Sequence, residues 1–213
     1  MTGIKICGVN SATAFDAAVA AGVDWVGFVF FPRSPRAVSP AEAAGLSARQ
    51  AGGPLRVGLF VAPEDQQIAE VLASVPLHVL QLYHVDAPRA AALRAGFGLP
   101  VWRAIGVTRA EDLPDGAGGA DGFVIEPKPP AGATRPGGNA VALDWSVLAG
   151  WQSPLPWLLA GGLTPETVAA AIDASGATAV DVSSGVESRM GVKDPALIRA
   201  FVAAVRARDQ ACS

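Results

Sequence analysis

Eight short apolar segments recur along the chain, and their spacing is the feature that most restricts how it can fold. Each is rich in Val, Ile, Leu and Phe, and the apolar residues follow one another almost continuously instead of alternating with polar ones. Such a pattern is typical of parallel strands that helices cover on both faces of a sheet. The segments occupy residues 4–7, 25–30, 56–61, 78–82, 101–105, 122–126, 157–160 and 179–183.

Alanine-rich segments of helical period lie between most of these strands, and their ends carry typical cap residues. The predicted N-caps are Ser11, Ser39, Thr164 and Asp194, the last three each followed by proline. The glycines predicted to end helices in the left-handed conformation are Gly22, Gly52, Gly96 and Gly176. Only a short helix fits after the fifth strand, and a long Pro- and Gly-rich loop over 127–143 follows the sixth.

Eight strands with a crossover after each predict an α/β fold, a single-domain (β/α)8 TIM barrel over residues 1–213 with a disordered tail at 208–213. The alternative is an open doubly wound sheet, which usually has fewer strands and a glycine-rich dinucleotide-binding loop after the first one. The corresponding segment here, "CGVNS" at 7–11, has one glycine and no G-x-G-x-x-G motif. The pattern therefore favours the barrel.

The composition limits the kinds of molecule that this chain is expected to bind and the compartment in which it is expected to occur. The net charge of −3 gives no electrostatic reason to expect binding to nucleic acid or to an anionic membrane. No apolar run approaches the ~18 residues of a membrane span, and the N-terminus does not resemble a secretory signal. The two cysteines, Cys7 and Cys212, form neither a disulfide framework nor a CxxC metal site, which favours a cytoplasmic location. The sequence leaves a monomer and a homodimer both open.

Two glycine-containing turns are predicted to bind a phosphate group. In a (β/α)8 barrel the active site forms at the carboxyl ends of the strands, and phosphate sites commonly follow the seventh and eighth strands. Gly161 and Gly162 follow the seventh strand, and Ser183, Ser184 and Gly185 follow the eighth. Exposed backbone N–H groups and serine hydroxyls at such turns suit an anion. The alternative interpretation is that the glycines only permit tight turns.

Cys7, Arg36 and Glu126 are candidates for contact with a substrate at the same rim. Arg36 lies between a proline and the cap of the second helix, which suits a two-pronged bond to a carboxylate or phosphoryl group; the alternative is a surface arginine. Glu126 ends an apolar strand, where a carboxylate has either a salt-bridge partner, such as Lys128 or Arg103, or a chemical task. Cys7 is either a small buried apolar residue or a base opposite Glu126.

The sequence contains no metal-ligand cluster, no nucleotide-binding loop and no serine–histidine arrangement. His78 lies at the start of a predicted strand and His84 in a loop, so neither is an obvious base. A thiol that faces a carboxylate across a phosphate-anchored substrate indicates cofactor-free proton transfer on a phosphorylated small molecule.

The chain resembles the phosphoribosylanthranilate isomerase family along nearly its whole length, from Lys5 to the last helix. The motifs that carry the resemblance are "KICG", "GFVFFPRSPRAVSP", "VGLFV", "LLAGGLTPETV" and "DVSSGVES…GVKDP". Other phosphate-binding barrels share the Gly-Gly and Ser-Gly turns but not "KICG" or "SPR". The resemblance implies a metal-free and cofactor-free Amadori rearrangement of N-(5-phosphoribosyl)anthranilate, a phosphorylated aminosugar, to 1-(2-carboxyphenylamino)-1-deoxyribulose 5-phosphate in tryptophan biosynthesis.

The resemblance also implies roles for individual residues. Cys7 matches the family's general base, and Glu126 matches its general acid. Arg36 matches the contact with the anthranilate carboxylate, and Asp181 matches an aspartate near the ribose hydroxyls. The positions that match the phosphate site are Gly161, Gly162, Ser183, Ser184 and Gly185.

Three departures from the family pattern bear on these roles. Glu126 stands where the family usually has aspartate, and the extra methylene moves the carboxyl group by about 1.5 Å. The family's Gln-Leu-His-Gly is here "QLYH" at 81–84, so Gln81 and Tyr83 are expected to bind substrate while the bulk of His84 predicts another path for this loop. The family's Gly-Gly-Thr-Gly-Lys loop is here "RPGGNAVALDW", which keeps the Asp-Trp pair and lacks the lysine.

These departures leave two other functions open beside the isomerase. One is a non-catalytic barrel that keeps the phosphate site as a sensor or partner subunit, and the other is a different phosphosugar isomerase or epimerase of the same fold. The presence of Cys7, Arg36 and both phosphate turns favours the phosphoribosylanthranilate isomerase.

Overall fold

The computed structural model describes residues 1–130, 132–133, 137 and 142–211. In these ranges eight parallel strands close into a barrel, in which each strand pairs with the next and the last pairs with the first. The strands are β1 Gly3–Cys7, β2 Trp25–Val29, β3 Leu55–Val61, β4 Val79–Tyr83, β5 Val101–Val107, β6 Gly122–Pro127, β7 Trp157–Leu159 and β8 Ala179–Val182. The predicted (β/α)8 barrel is therefore confirmed.

The helices surround the barrel, and they are α1 Ala12–Ala20, α2 Pro40–Ser47, α3 Asp65–Leu72, α4 Ala87–Phe97, α5 Val168–Ser175 and α6 Pro195–Ala211. Short 3-10 helices span Ala110–Asp112, Trp145–Leu148 and Ser184–Val186. The first two replace full helices after β5 and β6, as the Pro- and Gly-rich connections predicted. An antiparallel hairpin of β9 Glu187–Arg189 and β10 Val192–Lys193 follows β8, and the sequence pattern did not predict it.

Alternate residues of each strand face opposite sides of the barrel wall. On β1, Ile4 and Ile6 pack outward into the main apolar core shared with the helices. Lys5 and Cys7 face inward, where Cys7 joins a small cluster with Val29, Leu59 and Tyr83. This alternation places two chemically active side chains of one strand on the same inner face.

The predicted helix caps are confirmed at some ends and wrong at others. Ser39 forms a capping box with Glu42, in which each side chain bonds the backbone N–H of the other. Thr164 does not cap α5, because the intervening residues form a turn and the helix begins at Val168. Gly96 lies within α4, which ends instead at Gly98 in the left-handed conformation with a φ of 64°.

The carboxyl end of the chain differs from the predicted disordered tail at 208–213. Helix α6 continues to Ala211, because Asp209 is buried and bonds the other end of the chain. Its Oδ2 accepts from the Thr2 backbone N–H at 2.6 Å, and its Oδ1 accepts from the Thr2 hydroxyl at 2.7 Å. Residues 212 and 213, and with them Cys212, lie outside the described residues. No helix in the described ranges has both the length and the apolarity that crossing a membrane requires.

Candidate active site

A cavity of about 810 Å³, measured out to open solvent, lies at the carboxyl ends of the barrel strands. The sequence predicted eleven site residues, and ten of them line this cavity. They are Cys7, Arg36, Tyr83, Glu126, Gly161, Gly162, Asp181, Ser183, Ser184 and Gly185. The remaining one, Gln81, is fully buried and does not line the cavity.

The two predicted phosphate turns lie in direct contact with each other. Gly161 and Gly162 both have positive φ, at 95° and 66°, which a residue with a side chain rarely adopts. A Cβ at Gly161 would collide with the Pro127 ring, and a Cβ at Gly185 would collide with the Leu163 carbonyl. Glycine is therefore required here for close packing, and the packing brings both turns to one wall of the cavity.

Cys7 belongs to a buried cluster with Lys5 and Asp181. The Lys5 ammonium is fully buried, donates to Asp181 Oδ1 at 2.9 Å and hydrogen-bonds the Cys7 sulfur. Gly27 on β2 leaves room for the cluster, since a Cβ there would lie 3.2 Å from both the sulfur and the Lys5 Nζ. The sequence signal for Lys5 was its position two residues before Cys7, which places both on one face of a regular strand.

The charges around Cys7 set its protonation state. Burial raises the pKa of the Cys7 thiol, and the Asp181 carboxylate raises it further, while Lys5 and Lys193 act in the opposite direction. Burial lowers the pKa of Lys5, but Asp181 and Cys7 outweigh burial and leave it above its ordinary value. The resting cluster thus holds a neutral thiol beside an ammonium group that would stabilise a thiolate.

Glu126 is a buried carboxyl group that lines the same cavity as Cys7. Burial is the main reason that its pKa is raised to about 8, and the Asp181 charge adds to burial, whereas Tyr83 and Lys5 oppose it. The alternative interpretation, a salt bridge to Lys128 or Arg103, is wrong. Lys128 pairs with Asp112 at 2.6 Å, and Arg103 donates to backbone carbonyls. Glu126 is therefore mostly protonated at neutral pH.

Tyr83 connects the buried Gln81 to Glu126. The Gln81 Nε2 donates to the Tyr83 Oη at 3.5 Å, and the Tyr83 hydroxyl hydrogen-bonds the Glu126 carboxyl group. Gln81 thus lies behind Tyr83, at odds with the predicted direct contact with substrate. His84 adopts the left-handed conformation that glycine favours, with a φ of 54°. The predicted change in the path of this loop relative to the family stays a prediction.

Arg36 is buried and paired, so the alternative of a surface arginine is wrong. Its Nε lies 2.6 Å from Glu187 Oε1, and its Nη2 lies 2.9 Å from Glu187 Oε2. The Lys193 Nζ also bonds Glu187 Oε1, at 2.7 Å. The side chain of Glu187 is buried, which raises its pKa, but these two cations more than offset burial and hold the pKa at about 2. One carboxylate therefore bonds two cations beneath the rim.

The β9–β10 hairpin joins three rim segments through this ion cluster. The Gly191 N–H donates to Glu187 Oε2 at 3.0 Å, and the Gly191 carbonyl accepts from the Asn10 side chain at 3.0 Å. Lys193 donates to the Ser183 carbonyl at 2.9 Å, and the Ser183 hydroxyl donates to the Cys7 carbonyl at 3.1 Å. The loops after β1, β2 and β8 are consequently fixed relative to one another.

The loop after β6 contributes Gly137 to the cavity wall. A Cβ at this position would lie 2.6 Å from the Tyr83 Oη and 2.9 Å from Glu126 Oε2, so the backbone of Gly137 packs closely against both groups. Residues 131, 134–136 and 138–141 of the same loop, where the family's lysine was expected to be missing, lie outside the described residues. The Asp-Trp pair at the end of the loop is described, and Asp144 accepts from the Ser146 N–H at 3.0 Å.

Comparisons with known proteins agree on one family. The family model described as N-(5'phosphoribosyl)anthranilate (PRA) isomerase matches residues 4–204. An N-(5'-phosphoribosyl)anthranilate isomerase from Acidiphilium cryptum is 57% identical over 209 residues, which cover 97% of this chain and 100% of the relative. The crystal structure of TrpF from Jonesia denitrificans is 36% identical with a TM-score of 0.83, and the match covers 98% of both chains.

A second solved structure adds a ligand to the comparison. It is a phosphoribosyl anthranilate isomerase in complex with reduced 1-(o-carboxyphenylamino)-1-deoxyribulose 5-phosphate. It is 30% identical with a TM-score of 0.81, and the match covers 97% of this chain and 100% of the other. The family model and the identity to the relatives together establish that this chain belongs to the N-(5'-phosphoribosyl)anthranilate isomerase family.

Proposed function

We propose that the chain converts N-(5-phosphoribosyl)anthranilate to 1-(2-carboxyphenylamino)-1-deoxyribulose 5-phosphate, with Glu126 as general acid and Cys7 as general base. The observation that carries the assignment is the presence of a neutral carboxyl group and a lysine-paired thiol in one cavity. The ligand of the related complex, a reduced form of this product, supports the same substrate class. The reaction is an internal redistribution of hydrogen, so its atoms balance without a cofactor.

The two ends of the substrate carry anionic groups, and the cavity offers a distinct wall to each. We assign the phosphate to the turns at Gly161–Gly162 and Ser183–Gly185, whose backbone N–H groups and hydroxyls suit an anion. We assign the anthranilate carboxylate to Arg36, which lines the cavity while Glu187 fixes the plane of the guanidinium group. Two fixed ends hold the ribose between Cys7 and Glu126.

Ring opening is assigned to Glu126. Its carboxyl O–H transfers a proton to the furanose ring oxygen as the bond between that oxygen and C1′ breaks, and the anilino nitrogen supplies the electron pair that forms an iminium ion. A carboxyl group with a pKa of about 8 keeps this proton at neutral pH and still releases it to a developing alkoxide. Asp181 lines the same cavity, and we assign it to the sugar hydroxyls.

Proton removal from C2′ is assigned to Cys7. Once Glu126 has given up its proton, the Cys7 thiol transfers its own proton to that carboxylate and becomes a thiolate. The iminium ion acidifies C2′, the thiolate takes the C2′ proton, and the resulting enolamine becomes the aminoketose when the enol O–H is lost and C1′ gains a proton. Lys5 offsets the charge of the thiolate from the buried side of the sulfur. The C2′ proton thus restores the neutral thiol of Cys7, and because Glu126 is already protonated again, both groups return to their resting state.

The test is an activity assay with purified protein and phosphoribosylanthranilate, whose fluorescence disappears on rearrangement. We expect catalysed loss of fluorescence without an added metal or cofactor. A non-catalytic sensor would bind the phosphorylated ligand and leave its fluorescence unchanged. A different phosphosugar isomerase would not need the aromatic acid for binding. In a competition experiment it would bind a plain sugar phosphate as strongly as a phosphorylated sugar that carries a carboxylated aromatic ring.

Replacing Arg36 with alanine is expected to raise KM for the anthranilate-bearing substrate by roughly 30-fold or more, because a buried charge pair to the carboxylate is lost. The effect on kcat should be smaller, since Arg36 is remote from the transferred protons in this assignment. Steady-state kinetics measure the changes in KM and in kcat separately. Arg33→Ala is the matched control, because Arg33 is an exposed arginine in the same loop. An unchanged KM in Arg36→Ala would contradict the carboxylate assignment.

A further inference from the structure

A relay of three polar side chains runs from β4 to β6 beneath the cavity. Gln81 Nε2 donates to the Tyr83 Oη, and Tyr83 hydrogen-bonds the Glu126 carboxyl group. Tyr83 and Glu126 are buried at the cavity wall, and Gln81 is completely buried behind them. Gly137 packs against both the Tyr83 hydroxyl and the Glu126 carboxyl group, which leaves little space for either side chain to turn away.

We propose that Tyr83 is a positioning residue that directs the acidic proton of Glu126 onto the carboxyl oxygen that Tyr83 does not bond, and that Gln81 sets the direction of the Tyr83 hydroxyl. The kinetic part of this proposal rests on the proposed function, because it concerns the proton that opens the ribose ring. The structural part concerns the carboxyl group itself and can be tested without substrate.

The direction of each hydrogen bond follows from the donors and acceptors that are available. The Gln81 Nε2 can only donate, so it occupies an acceptor position of the phenol oxygen. The phenol proton is then available to Glu126. The carbonyl oxygen of a neutral carboxyl group is its better acceptor, so the carboxyl O–H is placed on the other oxygen. A proton fixed in this way is oriented before substrate arrives.

The opposite orientation of the Gln81 amide has a different consequence. In the orientation described, Gln81 Oε1 has no hydrogen-bond partner among the described residues. If the amide were reversed, Oε1 would accept the Tyr83 proton and withdraw it from Glu126. The two arrangements therefore differ in whether Tyr83 affects the ionisation of Glu126, and a measurement of that ionisation separates them.

Several charged or titratable groups face Glu126 from the surrounding strands. They are Lys5 and Cys7 on β1, Tyr83 on β4 and Asp181 on β8. Asp181 raises the pKa of Glu126, whereas Lys5 and the bond from Tyr83 lower it. Tyr83→Phe removes one oxygen atom and leaves the other groups in place. A change in the ionisation of Glu126 in this variant is therefore attributable to the lost bond.

The experiment is a carbon-13 NMR titration of the side-chain carboxyl group of Glu126 in the ligand-free protein, with Glu126→Gln used to assign the signal. We expect a midpoint near pH 8 in the parent protein and a midpoint higher by about half a pH unit or more in Tyr83→Phe, because the lost bond favoured the carboxylate. Gln81→Leu is expected to shift the midpoint in the same direction by less. Circular dichroism and melting curves establish that both variants are folded.

Kinetics complete the test. In Tyr83→Phe we expect kcat to fall by about tenfold with little change in KM, and the limb of the pH profile that reports Glu126 to move to higher pH. Unchanged midpoints in both variants would overturn the proposal. This is the result expected if the Gln81 amide has the opposite orientation. A rise in KM alone, with an unchanged midpoint, would also overturn it and make Tyr83 a substrate contact. If the parent protein rearranges no substrate, the proposed function fails while the titration still decides the role of Tyr83.

Discussion

Replacing Cys7 with serine is expected to reduce turnover by about 10²- to 10⁴-fold, the contribution typical of a positioned base. A serine hydroxyl is far less acidic than a thiol, so it yields almost no anion beside Lys5 at neutral pH. The change removes little volume from the small cluster that contains Cys7, and we expect the fold and the affinity for product to persist. Initial rates of fluorescence loss and a product titration measure the two effects separately.

Cys212→Ser is the matched control for this experiment, because it replaces the other cysteine of the chain. We expect it to retain the parent rate. A Cys7→Ser variant with the parent rate would remove Cys7 from the role of base. If that variant instead lost affinity for product together with turnover, Cys7 would be needed for the structure of the site and not for proton transfer.

Replacing Glu126 with glutamine is expected to block ring opening and lower kcat by about 10²- to 10⁴-fold. The amide has nearly the same shape as a neutral carboxyl group but cannot release an acidic proton. At pH 7 a group with a pKa of about 8 is about nine-tenths protonated, so the parent enzyme has its acid ready and loses it as the pH rises through 8. Single-turnover measurements report the step directly.

Glu111→Gln is a suitable control, since Glu111 is an exposed carboxylate away from the cavity. It should retain the parent kcat. Glu126→Asp keeps the acid but withdraws it by about 1.5 Å, and a displacement of this size costs on the order of a hundredfold in rate. Normal turnover by Glu126→Gln would mean that another group supplies the proton.

Features that depend on local sequence were predictable in this chain. The eight strands appear as apolar runs because each is buried between the barrel interior and a layer of helices. The rule that chemistry lies at the carboxyl ends of barrel strands then located Cys7, Glu126 and both glycine turns around one cavity. Local signals were weaker at helix ends. Gly96 and Gly98 are both reasonable terminators, and tertiary packing decides between them.

Features that depend on pairing between distant residues were not predictable. Glu187 and Lys193 are separated from Arg36 by about 150 residues of chain, and nothing in their local sequence shows that they form one buried cluster. The β9–β10 hairpin is short, and its strands lack the apolar runs of the barrel. The position of Gln81 behind Tyr83 follows from the inward alternation along β4, which a one-residue change in register would reverse.

The single carboxylate of Glu187 limits how this rim could be redesigned for a different ligand. Exchanging Arg36 for a neutral residue leaves Glu187 paired with Lys193 alone, whereas exchanging Glu187 alone leaves two cations close together inside the protein. Engineering the barrel for a substrate without an aromatic acid should therefore begin at position 36 and leave position 187 until a cation has been removed, because the opposite order passes through a variant with an uncompensated interior charge.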